Sequence, residues 1–104
     1  MKYALAIALV AALGATSASA AEIEVSQKDK QFSTQEIAAS VGDVIVFHND
    51  DNVAHNVHST TEGHRFNLGL QKPGESSRLE LNADGTVAIR CAVHPKMKLV
   101  VTVK

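Results

Sequence analysis

The 104-residue chain has one cysteine, Cys91, no tryptophan and a single tyrosine, Tyr3. One cysteine cannot close an internal disulfide, so the usual staple of a small exported domain is missing. Aromatic packing must rest on Phe32, Phe47 and Phe66. A strong excess of either charge is also lacking. With Lys2 set aside, nine Lys and Arg stand against eleven Asp and Glu. That balance excludes a strongly basic nucleic-acid surface and a general polybasic membrane patch. No apolar run is long enough for a permanent membrane span: Tyr3 to Leu13 covers about half of the roughly 20 residues required.

What the N-terminus does have is the layout of an export signal. Lys2 supplies a positive start, Tyr3 to Leu13 an apolar stretch, and Ala18-Ser19-Ala20 a small-residue cleavage site. We therefore expect residues 1–20 to be a secretory signal peptide and residues 21–104 to form a single mature domain. That domain is expected to lack a membrane anchor and to reside in a bacterial periplasm. A lone thiol in an oxidising compartment is a liability unless something holds it, and a metal ion would.

After the leader the chain is a series of short β-branched runs broken by turn residues. Ile23 and Val25 alternate with polar neighbours, and Val44-Ile45-Val46-Phe47 is a continuous apolar run suited to a strand buried on both faces. Further strands are expected at His55 to His58, Arg78 to Leu81, Thr86 to Cys91 and Leu99 to Val103. Gly42-Asp43 and Lys72-Pro73-Gly74-Glu75 read as turns, and Asn82-Ala83-Asp84-Gly85 as a hairpin. Gln35 to Ala39 reads as a strand or a single turn. The pattern predicts an all-β fold, an antiparallel β-sandwich of about seven or eight strands.

The chemistry concentrates in Cys91-Ala92-Val93-His94-Pro95-Lys96-Met97, with His55 upstream. A thiolate, two imidazoles and a thioether are the donors of an electron-transfer copper site. Soft sulfur selects copper, imidazole suits both of its oxidation states, and a weak axial Met tunes the potential. His55, Cys91 and His94 would make a trigonal plane with Met97 on the axis. Structural zinc favours several Cys or Cys/His pairs, and a dinuclear copper centre needs a second thiolate. A cysteine nucleophile paired with a His would leave Met97 without a role. His48, His58 and His64 read as solvated or hydrogen-bonded side chains, with a weak second copper site at His58 and His64 as the alternative. Asp50 and Asp51 read as a solvated loop.

Three blocks, Gly42 to Phe47, His55 to His58, and Gly85 to Val103 with its short Cys-x2-His-x2-Met loop, resemble the cupredoxins, specifically the amicyanin-like type. The resemblance implies a Greek-key sandwich holding one type 1 copper ion on His55, Cys91, His94 and Met97. It implies that Asn56 ties the two ligand segments together, its backbone N–H aimed at the thiolate. It also implies a monomeric electron carrier, not an enzyme. Such a carrier serves redox partners such as a c-type cytochrome or a periplasmic dehydrogenase, and electrons leave through His94. Val53, Ala54, Leu70, Val93 and Pro95 would form an apolar patch around that exit. The chain departs from the pattern at Ala54, where a proline is usual, at Lys96, where an aromatic is usual, and after Met97, where no Gly follows. The rival reading is a copper-handling protein that stores or delivers the ion.

Overall fold

In a computed structural model, residues 20–104 are described, and they form nine strands around one core. The expected signal peptide therefore lies, but for Ala20, outside the described residues. The strands are β1 (Glu22–Lys28), β2 (Gln31–Phe32), β3 (Glu36–Ala39), β4 (Val44–Asn49), β5 (His55–Ser59), β6 (Phe66–Gln71), β7 (Ser76–Glu80), β8 (Gly85–Arg90) and β9 (Lys98–Val103). One sheet has the order β2-β1-β4-β7, the other β3-β9-β8-β5-β6. This is an all-β sandwich, with pairing more mixed than the expected antiparallel pattern. β1 runs parallel to β4 and β3 parallel to β9, because the chain crosses between sheets before returning.

Alternation puts the core where two inner faces meet. Val25, Ile45, Phe47, Val57, Val87, Ile89, Leu99 and Val101 are buried almost completely. Burying each such side chain contributes roughly 1.5–3 kcal/mol. Phe32 meets Phe47 edge-on at a centroid separation of 6.1 Å. Phe66 is only partly buried against this cluster. The Val44–Phe47 run lies between β1 and β7, and Ile45, Val46 and Phe47 are all buried, as a two-face strand requires.

Local chemistry misdirects the reading at one turn. Asn82-Ala83-Asp84-Gly85 does not close a hairpin, since β7 and β8 belong to different sheets. Its turn residues reverse the chain but carry it across the sandwich. The tight two-residue hairpin is at Asp29 and Lys30, whose φ values of 54° and 57° lie in the left-handed backbone region and suit the right-handed twist of β1 and β2. A bulge between Asn56 and His58 shifts the register of β5 against β6, with Gly69 at φ 82° opposite. Bulges re-aim side chains near functional sites, and this one faces Asn56.

At the end opposite the Cys91–Met97 loop, Asp43 is the polar clasp. Its carboxylate accepts the backbone N–H groups of Ser40 and Ala21, both at 2.9 Å. The N–H of Ser40, then that of Ala21, hold its pKa below the ordinary 3.8. A depressed folded pKa means that this stabilisation is complete above 3.8 and is lost as pH falls from there toward the folded value. Asp43→Asn should therefore flatten the acid limb. Urea midpoints followed from neutral pH downward should fall less steeply in Asp43→Asn than in the wild type. Parallel loss in both would show that Asp43 has no part in acid unfolding.

Candidate metal centre

Strand ends position the donors. His55 is the first residue of β5, Cys91 directly follows β8, and those strands are neighbours in one sheet. His94 and Met97 come from the β8–β9 connection, a short loop closed by the N–H of Met97 to the carbonyl of His94 at 3.0 Å. The exposed Arg90 donates from Nη1 to the Pro95 carbonyl at 3.0 Å, fastening the loop from outside. His55, Cys91 and Met97 are buried at 0%, 1% and 2% exposure, whereas His94 is half-buried.

Three donor atoms converge. Cys91 Sγ lies 3.7 Å from His55 Nδ1 and 4.0 Å from His94 Nδ1, and the two Nδ1 atoms are 3.2 Å apart. Nitrogen and sulfur ligands sit about 2.0–2.3 Å from a first-row ion. Three of them in a plane around one centre would be about 3.5–3.7 Å apart on that basis, and the observed edges of 3.2, 3.7 and 4.0 Å bracket that spacing. Both imidazoles turn their Nδ1 toward the same point as the thiol, an arrangement a cation satisfies. Met97 lies in the same buried cluster as Cys91. Among the described residues, His55, Cys91 and His94 are the only group of three or more His, Cys or acidic side chains that close together.

The surrounding shell fixes this geometry. The backbone N–H of Asn56 points at Cys91 Sγ at 3.3 Å. Its side-chain oxygen accepts the N–H of Ala92 at 3.3 Å, and its Nδ2 donates to Asn67 Oδ1 and to the Gly69 carbonyl. Asn56 thus joins the His55 segment, the Cys91 segment and the bulge on β6. His58 shares its face and contacts Asn56 Oδ1 through Nδ1 at 3.0 Å.

Asp51 is the residue that sequence reading missed. It is no solvated loop residue: its side chain is 8% exposed and its Oδ2 lies 2.9 Å from His55 Nε2. The same oxygen accepts the Lys30 N–H at 2.9 Å, and Oδ1 accepts that of Asn52. These contacts, led by the Lys30 N–H and followed by His55, hold the Asp51 carboxyl well below the usual carboxylate range. Asp51 therefore stays ionised, and an ionised carboxylate on Nε2 leaves Nδ1 free as the donor. The available signal was position: an acid four residues before a candidate ligand, in a loop whose other members are Asn and Asp. Asn49 supports that loop, accepting the Asp51 N–H and donating to the carbonyls of Val53 and Gln71. Gln71 contacts Gln27 across the sheets, a buried polar link unsuspected from sequence.

His94 has its pKa lowered, first by burial and then by its neighbours His55 and Lys30, with Asp51 opposing. It is neutral at neutral pH, as a ligand must be. The remaining histidines stay outside the site. His48 contacts Ser76 and Glu24, both at 2.7 Å. His58 pairs across from Arg90 at one end of β8, and His64 lies against Gly85 at the other, so they cannot share an ion. Of the expected apolar patch, Leu70 and Val93 are exposed at 63% and 50%, Pro95 is exposed, and Val53 and Ala54 are half-buried.

Comparison with known proteins agrees with this geometry. Residues 19–104 match the family of copper-binding proteins of the plastocyanin/azurin type. The chain is 34% identical over 83 residues to the methylamine utilization protein MauL of Methylorubrum extorquens, covering 79% of this chain and 73% of that one. Its structure is similar to that of a point mutant of amicyanin in the reduced state, at TM-score 0.72 and 27% identity, covering 80% of this chain and 82% of the other. A purple cupredoxin from Nitrosopumilus maritimus shares the fold at TM-score 0.69 and 22% identity, over 79% of this chain and 99% of that one.

If Asp51 orients His55, Asp51→Asn should weaken copper binding about 10–100-fold, the usual effect of such supporting groups. It should also raise the reduction potential, because a carboxylate behind a ligand favours the more highly charged Cu(II). Competitive chelator titration and voltammetry check both, and an unchanged potential would reduce Asp51 to a loop brace.

Proposed function

We infer that this chain, which belongs to the plastocyanin/azurin family of copper-binding proteins, holds its ion on His55, Cys91, His94 and Met97. It carries single electrons and is not an enzyme. Copper, when bound, supplies the Cu(I)/Cu(II) couple. Everything else is the work of the chain. Cys91 and His55 come from adjacent strands of one sheet, joined where His58 pairs with Arg90, so their separation is set by the sheet. Asn56 and Asp51 prevent the thiol and the imidazole from turning away. A donor set already assembled this tightly rearranges little when charge changes, and small rearrangement favours fast transfer. The observation that carries the reading is the triangle of Cys91 Sγ and two Nδ1 atoms with edges between 3.2 and 4.0 Å.

The buried donors also argue against the rival of copper delivery. Handing an ion to a partner protein requires ligands that the partner can reach, and only His94 is half-exposed. His94 is accordingly the exit for electrons, with Val93 and Leu70 exposed at the same end. The electrons would pass between a donor such as a periplasmic dehydrogenase and an acceptor such as a c-type cytochrome. We place the protein in the periplasm as a monomer, exported by a signal peptide of residues 1–20 that is cleaved before Ala21. Ala21 supports this reading, because its backbone nitrogen lies 2.9 Å from Asp43 Oδ1. Cleavage there would turn an amide donor into an ammonium ion facing a carboxylate.

Cu(II)-loaded protein should show an intense visible thiolate-to-copper charge-transfer band. Cys91→Ser should abolish it and leave the β-sheet circular dichroism intact, whereas a colourless wild type contradicts the ligand set. Replacing Met97 should retain copper while separating two effects in voltammetry. Met97→Gln, a harder oxygen donor, lowers the potential, and Met97→Leu, with no donor, raises it. Identical potentials in all three proteins would remove Met97 from the axial position.

A further inference from the structure

The charges of this molecule are unevenly placed. Strand directions assign the end of each strand, and the last residues of β1, β4, β6 and β8 all lie at the metal-binding end. Lys28, Lys30, Lys72, Arg90, Lys96 and Lys98 belong to that end, and all six are exposed. The carboxylates there are Asp29, Asp50, Asp51 and Glu75, with Glu36 slightly further down β3; Asp51 is turned inward to His55. The remaining three cations stand against six carboxylates toward the other end and along the strands. A chain whose mature form carries a small net negative charge is thus positive at the end where electrons leave.

The cations also have a shape. Lys30, Lys96 and Lys98 line one open groove whose floor includes Met97 and Phe32. The groove continues along the β3–β9 edge, where Glu36 is its acidic limit. Among the described residues the ion pairs are His48–Glu24, His55–Asp51 and Arg78–Glu22, so none of the groove lysines is neutralised by one. Exposed Val93 sits in the same loop as Lys96, making the basic groove continuous with the apolar surface around His94.

Magnitudes decide whether the local or the net charge governs an approaching partner. A six-residue strand separates the ends by about 20 Å, and the Debye length is about 10 Å at 0.1 M salt. Two Debye lengths reduce the far end's influence to roughly a seventh. The local cations therefore dominate at contact.

We propose that the Lys30–Lys96–Lys98 groove, with Val93 beside it, docks the acidic surface of a redox-partner protein so that the partner's redox centre faces His94. This rests on the electron-carrier reading given above. Charge complementarity selects the partner, and the small apolar area keeps the encounter brief, as transient redox complexes require.

The test is stopped-flow electron transfer between the copper-loaded mature protein and two c-type cytochromes of matched potential, one acidic and one basic. Ionic strength is varied from about 0.01 to 0.1 M, over which the Debye length shrinks from about 30 to 10 Å. The acidic cytochrome should react faster at low salt, and its rate should fall on the order of tenfold as salt is added. Lys96→Glu combined with Lys98→Glu should reverse the sign of that salt dependence without altering the visible spectrum. An acidic cytochrome that speeds up with salt, as two net-negative bodies would, overturns the proposal, as does a salt dependence that the double variant leaves unchanged. Sedimentation with vesicles of anionic phospholipid at the same salt, lost in the variant, would assign the groove to a membrane and overturn it equally. Failure to exchange electrons with either cytochrome at any salt would instead overturn the carrier reading itself.

Discussion

Two imidazole nitrogens held 3.2 Å apart beside a thiol is an arrangement that a folded chain has no reason to adopt for its own stability. Left alone, those donors would turn toward water or toward separate hydrogen-bond partners. They are kept in place by constraints on every side: the ladder joining β5 to β8, the Asn56 bridge, the Asp51 carboxylate behind His55 and the Arg90 clamp on the loop. Much of the metal-binding end of the sandwich is explained by this requirement. The bulge opposite Val57 brings the Gly69 carbonyl and Asn67 to Asn56, and the positive φ of Lys30 turns its N–H to Asp51. A bound ion would in turn join segments 36 residues apart, from His55 to Cys91, and strengthen a small fold that has no disulfide.

The candidate donors were legible because three of the four fall within seven residues and the fourth begins a strand of clear pattern. Spacing that short leaves the loop few ways to fold, and the donor chemistry narrows the ion to copper. Strands with strong alternation or a continuous apolar run, such as β4 and β9, were equally readable. What escaped depends on neighbours distant in sequence. β2 is two residues long, and β6 contains Gly69 and presents Leu70 to solvent, so neither carries a periodic signal. Turn residues at Asn82 to Gly85 announce a reversal but cannot say which sheet receives the next strand. Asp51 looked like one more polar loop residue, because its role depends on Lys30 and His55 arriving from opposite sides.

The division of labour between the two ends follows from the same economy of material. The far end holds the crossing that starts the sandwich and Asp43, which like Asp51 is held below the ordinary carboxylate range. The metal-binding end holds two buried glutamines, a buried carboxylate and most of the exposed lysines, features that add little to stability but shape reactivity and recognition. Buried polar groups of this kind are tolerable because most are hydrogen-bonded. Gln27 Oε1 is the exception among the described residues: its Nε2 donates to Gln71 Oε1, and the oxygen itself receives no donor.

The central claim is that the chain, and not the ion, dictates the coordination geometry. X-ray absorption at the copper edge, recorded on the oxidised and the chemically reduced protein, tests it most directly. The account predicts one sulfur and two nitrogen scatterers at short range in both states, with distances that barely move on reduction. A sulfur shell missing from the oxidised protein, or donors that change in number between the two states near neutral pH, would contradict it.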